Sequence, residues 1–73
     1  MLVTPMQIHQ WLEAGLPGAE ITVTGDGHHF EAEVVWDEFA DKPMLAQHRM
    51  VYAALGDKMG GEIHALALKT RPE

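Results

Sequence analysis

The chain has 73 residues, so it forms one domain with a small core, burying only roughly 60% of the surface its unfolded form exposes. It has no cysteine, which excludes a disulfide framework and any metal site built on its own thiolates. Eleven carboxylates against five Lys and Arg give a net charge of −6, which argues against phosphate-driven nucleic-acid binding and favours a solvated acidic surface.

The first twenty residues carry no basic segment followed by a long apolar run, and nothing approaches the ~20 apolar residues of a membrane span. A soluble, cytoplasmic protein that does not engage membranes is expected. Thr4-Pro5-Met6-Gln7 is a helix start. Thr4 caps, Pro5 takes the first helical position and Gln7 completes a capping box. Ile8, Trp11 and Leu12 repeat at helical spacing until Gly15 and Pro17 end a helix of about residues 5–15.

Glu20-Ile21-Thr22-Val23-Thr24 alternates as a strand does, and Asp26-Gly27 supplies a turn. A second strand returns with Phe30, Ala32, Val34 and Trp36 on one face. His29, Glu31, Glu33 and Val35 take the other. The polar stretch from Asp37 to Pro43 holds one apolar anchor, Phe39.

From Met44 to about Met59 the pattern is helical, with an expected apolar stripe of Leu45, Val51 or Tyr52, Leu55 and Met59. Gly56 is placed to split this helix, and Gly60-Gly61 to close it. Glu62 to Thr70 alternates again as a third strand, followed by a short tail. The order α-β-β-α-β predicts an α+β two-layer sandwich with a mixed three-stranded sheet and both helices on one face. A strand–helix–strand crossover makes the third strand parallel to its neighbour.

Parallel pairing of the last two strands would bring their N-terminal ends to one rim. His29 begins one and His64 the other, and neighbouring strands run about 4.8 Å apart. Two imidazoles so placed could ligate one metal ion. Alternation opposes this, because His64 shares parity with Leu66 and Leu68 while His29 lies opposite Phe30. Three imidazoles (His28, His29, His64) plus water would satisfy zinc, although no pair has the short helical spacing common in zinc sites. A [2Fe–2S] centre needs four ligands, and histidines can serve one of its irons. The chain offers at most that half, so thiolates would have to come from a second molecule.

There is neither a cysteine nor a serine nucleophile, and catalysis is not expected. His48 and Arg49 lie in the second helix as candidate partner contacts, with pairing of Arg49 to a carboxylate of the chain as the alternative. His9 is expected at the surface, and Trp11 and Trp36 in the core.

The segments "TGDGHHFEAEVV", "KPMLAQHRMVYAAL" and "EIHALALKT", with Phe39 between the first two, resemble the BolA family and its small bacterial BolA/IbaG branch. The most specific pieces are "HRMVY" (48–52) and "IHALAL" (63–68), and the resemblance covers about residues 4–70 of a single domain spanning 1–73. It implies a fold like the class II KH domain and a role in iron homeostasis and stress response. It also implies a monothiol glutaredoxin partner, with glutathione, sharing a [2Fe–2S] cluster. The family's last-strand histidine matches His64. Its loop ligand matches His29, with His28 as the alternative, and Asp26 stands where other members carry a cysteine. No cofactor is expected in the isolated chain.

The family's longer C-terminal segment is not among these 73 residues, which is expected to lower partner affinity more than to change the fold. Gln47 stands where many relatives have a basic residue, and is expected to thin any basic patch on its helix. Relatives are also linked to transcriptional control, so nucleic-acid binding is the competing function. Gly15-Leu16-Pro17-Gly18 is the one string with the Gly-x-x-Gly form of a KH grip, and it lacks Lys and Arg.

Overall fold

Thr4 starts the first helix as its chemistry requires. Its backbone is extended, its Oγ1 accepts the Gln7 N–H at 3.2 Å, and Gln7 Oε1 accepts the Thr4 N–H at 2.9 Å. Two N–H groups that a helix start leaves unpaired are thereby satisfied. This is the computed structural model of the chain, which describes residues 3–59, 61, 63 and 65–73. Helix α1 spans Pro5–Gly15 and buries Ile8 and Leu12. A Cβ on Gly15 would lie 2.6 Å from Ala54 Cβ, so the lack of a side chain there lets the two helices meet.

Strand β1 (Glu20–Gly25) and strand β2 (His29–Val35) form the antiparallel hairpin, paired from Glu20↔Val35 to Gly25↔Phe30. Strand β3 (Ala65–Arg71) runs parallel to β2, from His29↔Ala65 to Val35↔Arg71. The sheet order is β1-β2-β3, mixed as expected. β2 lies at its centre and sets the layers. Phe30, Ala32 and Val34 are buried among Ile8, Leu12, Phe39, Val51, Leu55 and Ile63, while His29, Glu31 and Glu33 face outward and are exposed. Val35, expected on the outer face, is only 9% exposed, flanked in register by Glu20 and Arg71. A single 3-10 turn over Asp37–Phe39 drops Phe39 into the core.

Helix α2 spans Met44–Leu55 and stops four residues before the expected end. Gly56, with φ 59° and ψ −130°, breaks it, and a 3-10 turn over Gly56–Lys58 follows. Side chains rarely tolerate that backbone conformation, so the glycine fixes the boundary. The expected stripe is also corrected. Val51 and Leu55 are buried, but Leu45 is 63% exposed and Tyr52 is exposed. The inward position of the first turn belongs to Gln47, about 200° around the helix from Leu45 at roughly 100° per residue.

Gln47 is buried and satisfied. Its Nε2 donates to the Lys42 carbonyl at 2.9 Å, and its Oε1 accepts the Thr70 hydroxyl at 2.7 Å. Thr70 Oγ1 also lies 3.3 Å from Met44 Sδ. These bonds tie the start of α2 to the end of β3. Gln47 is therefore an interior polar strut, and it subtracts nothing from a surface patch. The expected third strand from Glu62 begins, among the described residues, at Ala65 and continues one residue past Thr70. Gly60, Glu62 and His64 lie outside the described residues.

Candidate functional site

The loop between β1 and β2 is closed by one carboxylate. Asp26 Oδ1 accepts the N–H of His28 and of His29, each at 2.9 Å, and the Asp26 N–H donates to the His29 carbonyl at 3.2 Å. Gly27 takes φ 101°, which permits the reversal. Gly25 is equally constrained. A Cβ there would strike the Phe30 ring and stand 2.6 Å from the His29 carbonyl oxygen. The turn that presents both histidines thus has the Asp26, His28 and His29 N–H groups paired and its two glycines required.

The same bonds act on the Asp26 carboxyl. The His29 N–H, and after it the His28 N–H, hold its pKa below the usual carboxylate range, against a small opposing effect of desolvation. The folded-state pKa is depressed. Asp26 therefore steadies the folded loop above the ordinary carboxylate range, and that contribution fades as pH falls through the lowered value. Asp26→Ala is expected to speed amide exchange at His28 and His29 at neutral pH. It should also erase the acid-dependent loosening of those two amides in the wild-type protein. Exchange measured by NMR across acidic pH checks both.

His29 is the first residue of β2. It is exposed, lies on the face opposite Phe30, and stands opposite Ala65, the first described residue of β3. His64 immediately precedes Ala65 in the chain and lies outside the described residues, so its relation to His29 is not among the observed contacts. The parallel register brings the start of β3 to the rim that carries His29. His28 is exposed beside it. Among the described residues no group of three or more His, Cys, Asp or Glu is arranged to hold a metal ion. The three-imidazole zinc set includes His64. The donor chemistry fits the histidine half of a shared cluster: exposed imidazoles at an open rim, and no thiolate in the chain.

Arg49 is exposed on the face of α2 that also carries Leu45 and Tyr52, and no carboxylate pairs with it among the described residues. His48 is half-buried. Its Nε2 is shut off from solvent and has no hydrogen-bond partner among the described residues. His9, expected at the surface, is half-buried in a shallow groove with Pro5, Met6 and Val23. Trp36 is core, packed edge-on against Phe39 at 5.5 Å, with its indole N–H donating to the Pro17 carbonyl at 3.0 Å. Trp11 is half-buried, with Lys58 Nζ 5.2 Å from its ring.

That indole bond also bears on Gly15-Leu16-Pro17-Gly18. Leu16 is buried and Pro17 is tied to Trp36, so the string anchors a helix-to-strand connection. The residue that sequence reasoning undervalued is Asp26, read as a turn former and as the position where other family members carry a cysteine, and not as the carboxylate that pins the histidine loop. Its signal was present: an Asp before Gly, with two following N–H groups in reach of its carboxylate.

A model of the BolA-like protein family matches residues 8–73. Protein BOLA2 of Arabidopsis thaliana is 42% identical over 72 residues, covering 93% of this chain and 76% of that protein. The DNA-binding transcriptional regulator BolA of Escherichia coli (strain K12) is 39% identical over 46 residues, which are 63% of this chain and 44% of that one. The chain spans about two fifths of the length of the mammalian relatives it matches. The solved structure of a bolA protein homologue from Coxiella burnetii superposes with a TM-score of 0.87 at 48% identity, covering 94% of this chain and 90% of that chain.

Proposed function

This chain belongs to the BolA-like protein family, and we propose that it is a non-enzymatic adaptor in iron–sulfur handling. In this role it binds a monothiol glutaredoxin and lends histidine ligands to a [2Fe–2S] cluster that the two proteins share. The supporting observation is His29. It is held by the Asp26 turn at an open rim, next to the start of the strand that His64 precedes. His29 and His64 would serve one iron. The partner's cysteine and a glutathione thiolate would serve the other, because this chain has no thiol of its own. The cluster, when bound, supplies a redox-active and transferable inorganic core. The chain's residues supply imidazole lone pairs, a fixed loop backbone, and a rim that a second protein can approach.

The test mixes the apo-protein with a monothiol glutaredoxin, ferrous iron, sulfide and glutathione. Visible absorption and circular dichroism are then compared with those of the glutaredoxin homodimer. A distinct charge-transfer spectrum is expected, because imidazole replaces thiolate on one iron. A spectrum identical to the homodimer's, for the wild type as for His64→Ala, rejects the proposal.

A second reading has one observation in its favour: the E. coli relative bears the name of a DNA-binding regulator. Against it stand the net charge of −6 and a Gly-x-x-Gly string built into the scaffold. Titration of duplex DNA at low salt is expected to show no saturable binding. Tight binding with a steep salt dependence would favour the regulator instead.

A further inference from the structure

Gln47 and Thr70 are the buried polar residues among those described, and they bond to each other. The bond has a fixed sense. The Lys42 carbonyl can only accept, so the Gln47 amide turns Nε2 to it and leaves Oε1 toward Thr70. That Oε1 also can only accept, so the Thr70 hydroxyl gives it its single proton.

A second acceptor stands at the same hydroxyl. Met44 Sδ lies 3.3 Å from Thr70 Oγ1, against 2.7 Å for Gln47 Oε1. A thioether sulfur is a weak acceptor, so it leaves the proton to Gln47. Met44 is the first residue of α2 and is 56% exposed, so a small solute can approach it from solvent. Met6 is exposed too, in the groove with Pro5, His9 and Val23, whereas Met50 and Met59 are half-buried against the core. Among the described residues, Met44 is the methionine with a hydroxyl at its sulfur.

We propose that Met44 is an oxidation site through which a hydroperoxide loosens the joint between α2 and β3. The sulfur attacks one oxygen of hydrogen peroxide, and an S–O bond forms as the O–O bond breaks. Sulfur gives up two electrons, the peroxide is reduced, and a proton shift lets water leave. The new sulfoxide oxygen is a strong acceptor where the thioether was a weak one. Rotatable bonds and exposure let the Met44 side chain back off by one atom and keep that oxygen within reach of Thr70 Oγ1. One proton then faces two strong acceptors. Where the sulfoxide takes it, Gln47 Oε1 stays buried without a donor, which costs more than an exchanged hydrogen bond. Thr70 lies near the end of β3 remote from Ala65 and the His29 rim, so this switch does not depend on the proposed cluster role. Sulfoxide reduction reverses it.

The test treats the whole chain with hydrogen peroxide, at a dose that leaves Met50 and Met59 unconverted by peptide mass spectrometry. Urea unfolding then gives the folded-to-unfolded ratio, and NMR follows the Gln47 side-chain amide. Conversion of Met44 is expected to lower the ratio by roughly fivefold or more and to move the Gln47 amide signals. A methionine sulfoxide reductase is expected to restore both. Met44→Leu, treated alike, is expected to keep its ratio. In Thr70→Val the shared proton is already gone, so oxidation should lower the ratio much less than in the wild type. A Met44 sulfoxide that leaves the ratio or the Gln47 signals unchanged overturns the proposal. So does an equal loss in Thr70→Val and the wild type, or a Met44 that resists peroxide while Met6 is converted. If Thr70→Val does not fold, the Gln47 signals of the wild type decide.

Discussion

Phe39→Ala is expected to lower the unfolding free energy by about 3–5 kcal/mol. The ring is fully buried, and within the polar stretch from Asp37 to Pro43 it is the apolar side chain sent into the core. Its truncation would remove the edge-to-face contact with Trp36, worth roughly 0.5–1.5 kcal/mol beyond burial, and leave a void between sheet and helices. A domain of this size has only about 4–11 kcal/mol of stability at roughly 0.05–0.15 kcal/mol per residue. One substitution would thus take a large share of it. Urea unfolding followed by tryptophan fluorescence measures the loss, and Phe39→Leu should cost clearly less because it fills more of the void. A loss for Phe39→Ala within about 0.5 kcal/mol, the range of a surface change, would mean that the connection is not anchored there.

The second large effect falls on function and leaves stability nearly untouched. His29→Ala is expected to abolish the distinct spectrum of the shared cluster, whereas His28→Ala retains it. His29 is the residue that pairs with the start of β3, while His28 lies one position back in the turn. Both side chains are exposed, so either substitution should change unfolding free energy by no more than about 0.5 kcal/mol. Comparing the two variants therefore separates a ligand from a merely polar neighbour. Loss of the spectrum in His28→Ala with retention in His29→Ala would reverse the assignment.

Much of the scaffold could be read from the chain because its signals are local. The Thr4–Gln7 box, the alternation of Phe30, Ala32 and Val34, and the Asp26-Gly27 turn each depend on residues a few positions apart. The parallel pairing of β2 and β3 followed from the crossover. The inward face of α2 was legible only in part: Val51 and Leu55 are buried as expected, and its first turn was misjudged. Leu45 and Tyr52 are apolar and stay outside, while polar Gln47 goes inside, because its two partners, the Lys42 carbonyl and the Thr70 hydroxyl, lie beyond any helical period. The Gly15–Ala54 contact is equally non-local. At the site, the residue types were legible and the register was not. His29↔Ala65 is set by how a whole strand slides into place. Of the face-parity warning only one half falls on described residues: His29 lies on the outer face, away from Phe30, and His64 lies outside them.

The central claim is that imidazole from this chain binds iron in the shared cluster. It is tested most directly by labelling only this chain with ¹⁵N-histidine, assembling the complex with unlabelled glutaredoxin, reducing it, and recording pulsed electron paramagnetic resonance. Two strongly coupled ¹⁵N nuclei are expected in the wild type, and one in His29→Ala if that variant still holds a cluster. A wild-type complex whose cluster couples to no labelled nitrogen would contradict the account.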